Sequence, residues 1–157
     1  MSGPSRGGKS RWAEHLLSSQ ETVTYVATSA HRSNDPSWDE RKRLHRERRP
    51  LHWQLREPGS RIAECIRRED GNQALLIDAL GGFTAVNLDR NDLQWEQETE
   101  DLIQSLLTRR RPTVIVVEET GWGVVPSTTI GGLFRDRQGW LAQRLEQHAA
   151  DSWLVVQ

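Results

Sequence analysis

The sequence predicts an α/β fold, a mostly parallel sheet with helices on both faces, and three observations carry that prediction. Runs rich in β-branched or aliphatic residues (TVTYVA from residue 22, ALLID from residue 74, TVIVV from residue 113) alternate with amphipathic stretches of helical length. Within these runs ALLI and VIVV are apolar at every position, the pattern of strands buried on both sides rather than one. The stretch from Gly3 to Ser10, GPSRGGKS, fits GxxxxGK[ST], a glycine-rich loop that cradles phosphate between a strand and a helix. The expected class is therefore P-loop NTPase-like, with one departure: nothing of strand length precedes the loop, so its feeding strand reads as missing.

A chain of 157 residues and 18.0 kDa suits a single domain, residues 1–157, with one core and no need of metal or disulfide support. The charge of −1, from 21 Lys+Arg against 22 Asp+Glu, gives no global field toward nucleic acid or acidic lipid, so neither is expected as a partner. Mean hydropathy is −0.72 and no apolar run is long enough to span a membrane. The lone Cys65 and the absence of a signal segment point to a reducing, cytoplasmic setting.

Each element has a local reason. KSRWAEHLL sets Trp12, Ala13, Leu16 and Leu17 at helical spacing, so a helix starts near Gly8. A strand follows over about 23–27, then a loop HRSNDP and a charged helix SWDERKRLHRER that Pro50 stops. SRIAECIRRE is a short amphipathic helix with Ser60 as expected N-cap, leading through GN to the strand ALLID. A helix around EQETEDLIQSLLTR, the strand TVIVV, a Gly-containing loop EETGWGVVPSTT, a helix through FRDRQGWLAQRLEQHAA and a last strand SWLVV complete the order.

Three constellations bear chemistry. In the P-loop, backbone N–H groups turn inward to hold phosphate oxygens; Lys9 would meet the β- and γ-phosphates and Ser10 would ligate Mg²⁺. In RKRLHRERR, helical spacing puts Arg41, Arg48 and Arg49 on the face of His45. Surrounding positive charge favours a neutral, nucleophilic imidazole, and the arginines can clamp phosphate oxygens. A solvated basic helix and a nucleic-acid patch stay open as readings of the same residues. The third is Asp78, at the C-terminal end of ALLID, where ligands gather in parallel sheets. Glu118 and Glu119, after VIVV, compete with it for a metal role.

Taken in order, GPSRGGKSRWAE, YVATS, RLHRERRPLHW, EETGWGVVP, FRDRQGWLAQRL and WLVV resemble the bifunctional adenosylcobinamide kinase/adenosylcobinamide-phosphate guanylyltransferase family of cobalamin biosynthesis. The resemblance runs nearly end to end. It implies a kinase step on adenosylcobinamide and a transferase step in which a histidine attacks GTP, releases pyrophosphate and passes GMP to adenosylcobinamide phosphate, giving adenosylcobinamide-GDP. It puts the nucleophile on His45. It puts nucleotide contacts on Gly3, Pro4, Ser5, Arg6, Gly7, Gly8, Lys9, Ser10, Ala27, Thr28, Ser29, Arg46, Glu47, Arg48, Arg49, Glu57 and Asp78, with Ser10 and Asp78 toward the metal. GTP, ATP and Mg²⁺ are the implied small-molecule partners, and a homotrimer the implied assembly. Two further departures from the family are Ser37, where many relatives are acidic, and Lys42, in place of an apolar residue. Another P-loop kinase in which His45 is incidental, and a nucleotide-binding protein left inactive by the loss of its first strand, are the alternatives.

Overall fold

The computed structural model describes residues 1–29, 36–69 and 72–156, with backbone alone for residues 36–39, 41 and 42. The elements are α1 (Lys9–Leu16), β1 (Val23–Ala27), α2 (Pro36–Arg48), β2 (Gln54–Arg56), α3 (Ile62–Arg68), β3 (Ala74–Asp78), α4 (Gly81–Val86), α5 (Asp92–Leu107), β4 (Thr113–Ile115) and α6 (Thr129–Glu146). Most of the HRSNDP loop, and the side chains of Ser37, Arg41 and Lys42, lie outside the described residues.

The strands form one parallel sheet in the order β2-β1-β3-β4. Side chains alternate across it with a period of two. Val26, Leu75, Ile77 and Val117 pack toward α3, α4, α5 and α6 with Ile62, Ile66, Phe83, Trp95, Leu102 and Leu141. Val23, Tyr25, Ala74, Leu76 and Val116 pack on the other face with Ala13 and Leu17 of α1 and with Trp53. Both faces are covered, which is why the strands read as continuous apolar runs.

Among the described residues no strand precedes α1, as expected, but residues 1–3 take part of that strand's place. The Met1 nitrogen donates to the Ile115 carbonyl at 2.8 Å, Val117 N to Met1 O at 2.9 Å and Glu119 N to Gly3 O at 3.0 Å. On the other side Ser2 N donates to Trp153 O at 2.8 Å and Val155 N to Ser2 O at 2.9 Å. The three residues thus occupy the strand position between 115–119 and 153–155 and satisfy ladder groups on both neighbours. The expected closing strand SWLVV is reduced to a single parallel bridge, Leu154 with Ser2, because Ser2 is the residue it pairs with.

Other boundaries move for local reasons. The Ser60 cap is displaced: Arg61 occupies the N-cap of α3, with no side-chain cap bond. α5 begins four residues before EQETEDLIQSLLTR, where Asn91 and Gln94 make a reciprocal capping box. α6 begins at Thr129, capped by the Thr128 hydroxyl, which accepts from Gly131 N at 3.2 Å. β2 and α4 had no signal of their own: β2 is a short, largely exposed edge strand, and GGFTAV is too brief to show a period.

Candidate nucleotide-binding and group-transfer site

The C-terminal edge of the sheet gathers the chemistry. Gly3 and Gly8 give the loop its path. Gly3 has φ +151°, and a Cβ there would stand 2.2 Å from the Val155 carbonyl oxygen; Gly8, at φ +84°, is the left-handed N-cap of α1. Arg6 adopts φ +61° without that freedom, a local strain of the kind stored at ligand-binding loops. Inside the loop the Lys9 ammonium donates to the carbonyls of Gly3 at 2.7 Å and Pro4 at 2.6 Å. Lys9 is buried, so its charge sits in the bowl of its own loop, where an incoming phosphate would compete for it.

Asp78 is the hub. Residues 74, 76 and 78 alternate onto the α1 face of β3, which brings the carboxylate, 6% exposed, to the start of α1. Its Oδ1 accepts from the Ser10 hydroxyl at 3.1 Å, and its Oδ2 accepts from the Tyr25 hydroxyl at 2.6 Å. His45 Nδ1 lies 3.7 Å from the same Oδ2. Arg48 Nη2 lies 3.3 Å from His45 Nδ1 and holds Glu14 of α1 with two contacts, 3.2 and 3.3 Å. Arg49 places its guanidinium 4.7 Å from the centre of the Tyr25 ring. The helix carrying His45 is thereby tied to α1 and β1 beside the P-loop.

The other expected residues separate into groups. Ala27, Thr28 and Ser29 follow Asp78 along the same edge, with Ala27 in register with Asp78 and the Thr28 hydroxyl on the Ala79 carbonyl. Arg46 is exposed, and Glu47 is held in an ion pair by Arg43. Glu57 lies just past β2 in a separate charged cleft with Arg61, Cys65 and Arg68. Of the competing carboxylates, Glu119 accepts from Gly121 N at 2.5 Å within its own loop. Glu118 accepts from Gly81 N at 2.8 Å and from Gln138 Nε2 at 3.4 Å, and burial holds its carboxyl above the usual range. Asp78 is therefore the carboxylate of the three that bonds the P-loop serine.

Among the described residues no group of three or more His, Cys, Asp or Glu is arranged around a metal. A Mg²⁺ ion does not need one: it takes one or two carboxylates and fills its remaining positions with water and phosphate oxygens. Tyr25 and Glu14 were not anticipated. A signal for Tyr25 existed, as the chain's one tyrosine in a strand next to the carboxylate-bearing strand, but it needed the pairing register of β1 and β3 to be read.

The model of the family described as cobinamide kinase / cobinamide phosphate guanyltransferase matches residues 1–157, the whole chain. The chain belongs to this family. Relatives include the bifunctional adenosylcobalamin biosynthesis proteins CobU of Escherichia coli and of Salmonella typhimurium, each 33% identical over 99% of this chain and 93% of theirs. The protein CobP of Pseudomonas aeruginosa, also named a bifunctional adenosylcobalamin biosynthesis protein, is 34% identical over 92% of this chain and 84% of its own. The site of this cobinamide kinase / cobinamide phosphate guanyltransferase chain thus combines a phosphate loop with a histidine reached through one shared carboxylate.

Proposed function

We propose that the chain catalyses both reactions in its family's description, phosphorylating adenosylcobinamide and transferring GMP from GTP to adenosylcobinamide phosphate, with His45 as the nucleophile of the second. The observation that carries this reading is the convergence on Asp78, whose two oxygens face Ser10 of the P-loop and His45 of α2. A phosphate loop alone would suit any small-molecule kinase; a histidine beside it, on an arginine-bearing helix, suits nucleotidyl transfer.

In the kinase step the loop N–H groups and the N-terminus of α1 hold the nucleoside triphosphate, ATP or GTP, and Lys9 leaves the carbonyls of Gly3 and Pro4 for the β- and γ-phosphates. The Ser10 hydroxyl and the Asp78 carboxylate are adjacent hard oxygen donors that fit Mg²⁺, which when bound neutralises charge on the phosphates. In the transferase step His45 attacks the α-phosphorus of GTP while Arg48 and Arg49 offset charge on the transferred group. A single domain, a homotrimer and a cytoplasmic setting belong to the same proposal, and light scattering of the purified protein measures the assembly.

His45→Ala tests the division of labour. Guanylyl transfer is expected to vanish while phosphorylation of adenosylcobinamide survives. Equal survival of both activities would make His45 incidental and favour the plain kinase.

A further inference from the structure

We propose that Tyr25 is a positioning residue for guanylyl transfer: its buried hydroxyl fixes the Asp78 carboxylate so that Oδ2 faces His45 Nδ1 and selects the imidazole tautomer with Nε2 open for attack. The proposal rests on the reading of His45 as nucleophile.

Neutral imidazole attacks through the nitrogen that lacks a proton, so the partner of the other nitrogen decides which one is available. Among the described residues, two groups stand beside Nδ1. Arg48 Nη2, at 3.3 Å, can only donate; a bond from it leaves the proton on Nε2 and closes that atom to phosphorus. Asp78 Oδ2 faces Nδ1 at 3.7 Å, one small shift short of a hydrogen bond; as a carboxylate it can only accept, so on closing it would draw the proton to Nδ1 and leave Nε2 unprotonated. Arg48 is more exposed, 36% against 6% for Asp78, and is the one of the two that can leave Nδ1, giving up its contacts with Glu14, for a phosphate oxygen when nucleotide arrives. Asp78 is held at both oxygens, by Ser10 at 3.1 Å and by Tyr25 at 2.6 Å. Tyr25 is 4% exposed, packed in the sheet's α1-side core and covered by Arg49.

The step balances without an external base. The Nε2 lone pair forms the N–P bond to the α-phosphorus, and the bond to the β-phosphate oxygen breaks with its electron pair on pyrophosphate. The Nδ1 proton stays, so the imidazole becomes cationic facing Asp78. When an oxygen of the substrate phosphate attacks the same phosphorus, the N–P pair returns to Nε2.

Tyr25→Phe keeps the ring and its stacking on Arg49 and removes only the hydroxyl. At saturating Mg²⁺-GTP, formation of the guanylylated protein is expected to slow by about 10–100-fold, by analogy with the loss of an outer partner that orients a metal-ligating histidine. Affinity for guanosine 5′-(α,β-methylene)triphosphate, whose α–β bridge cannot be cleaved, is expected to stay at the wild-type value. With that analogue bound, ¹⁵N spectra of histidine-labelled wild type should show His45 protonated at Nδ1, and Tyr25→Phe should move the proton toward Nε2. A wild-type rate in the variant, a parallel loss of nucleotide affinity, or a wild-type spectrum with the proton on Nε2 would each overturn the proposal. The wild-type spectrum decides even if the variant does not fold. Wild type that takes no GMP at all would instead overturn the reading of His45 itself.

Discussion

Glu118 shows at the scale of one residue how burial changes chemistry. Its carboxyl is held above the usual range first by desolvation, with the nearby Asp78 charge adding to it and Gly81 N–H and Lys9 opposing. An acid whose pKa is raised in the fold binds its proton more tightly there than in the unfolded chain. Its contribution to stability is therefore full below the ordinary carboxylate pKa and is lost as pH rises through the raised value. Glu118→Gln removes that penalty while keeping an acceptor for Gly81 N, so the melting temperature should rise at pH 8, by about 2–4 °C per kcal/mol recovered, with no gain at pH 4. A variant that melts lower at pH 8 than wild type would show that Glu118 is needed ionised. His45, Lys9, Ser10 and Asp78 were legible in the sequence because each belongs to a local pattern: a loop motif, a basic helix, a strand end. Tyr25 was not, since its role depends on the register of two strands about fifty residues apart in sequence.

At the scale of elements, legibility followed length and period. α1, β1 and β3 emerge where their apolar spacing puts them, because each buries a face defined by its own residues. β2 and α4 are too short for a period, and β2 exists only because β1 offers it an edge. The largest departure, the strand position filled by residues 1–3, is a tertiary effect: Ser2 and Gly3 are polar and small, yet segments on both sides supply backbone partners. Gly3 is the weak point of that arrangement, since a Cβ would meet backbone rather than a flexible side chain. Gly3→Ala should separate residues 153–155 from Ser2, lower the melting temperature and weaken Mg²⁺-GTP binding together. A thermal-shift titration with nucleotide reads both; unchanged affinity in a destabilised variant would uncouple that ladder from the loop.

Across the whole molecule the sheet is a device for bringing distant residues together. Ser10, His45 and Asp78 come from α1, α2 and β3, and Tyr25 from β1, and they meet at the edge where parallel strands end. Among the described residues no helix is long and apolar enough to cross a membrane. With a net charge of −1 the molecule has no overall field to draw polyanionic nucleotides, so the proposed binding falls to local groups: Lys9, Arg48, Arg49 and the loop amides. The central claim is that this local site makes a covalent bond to GMP through His45. Intact-protein mass spectrometry after incubation with Mg²⁺ and GTP tests it most directly, with wild type beside His45→Ala. One acid-labile GMP adduct on wild type and none on the variant is the expected result; an adduct on both, or on neither, would overturn the covalent role of His45.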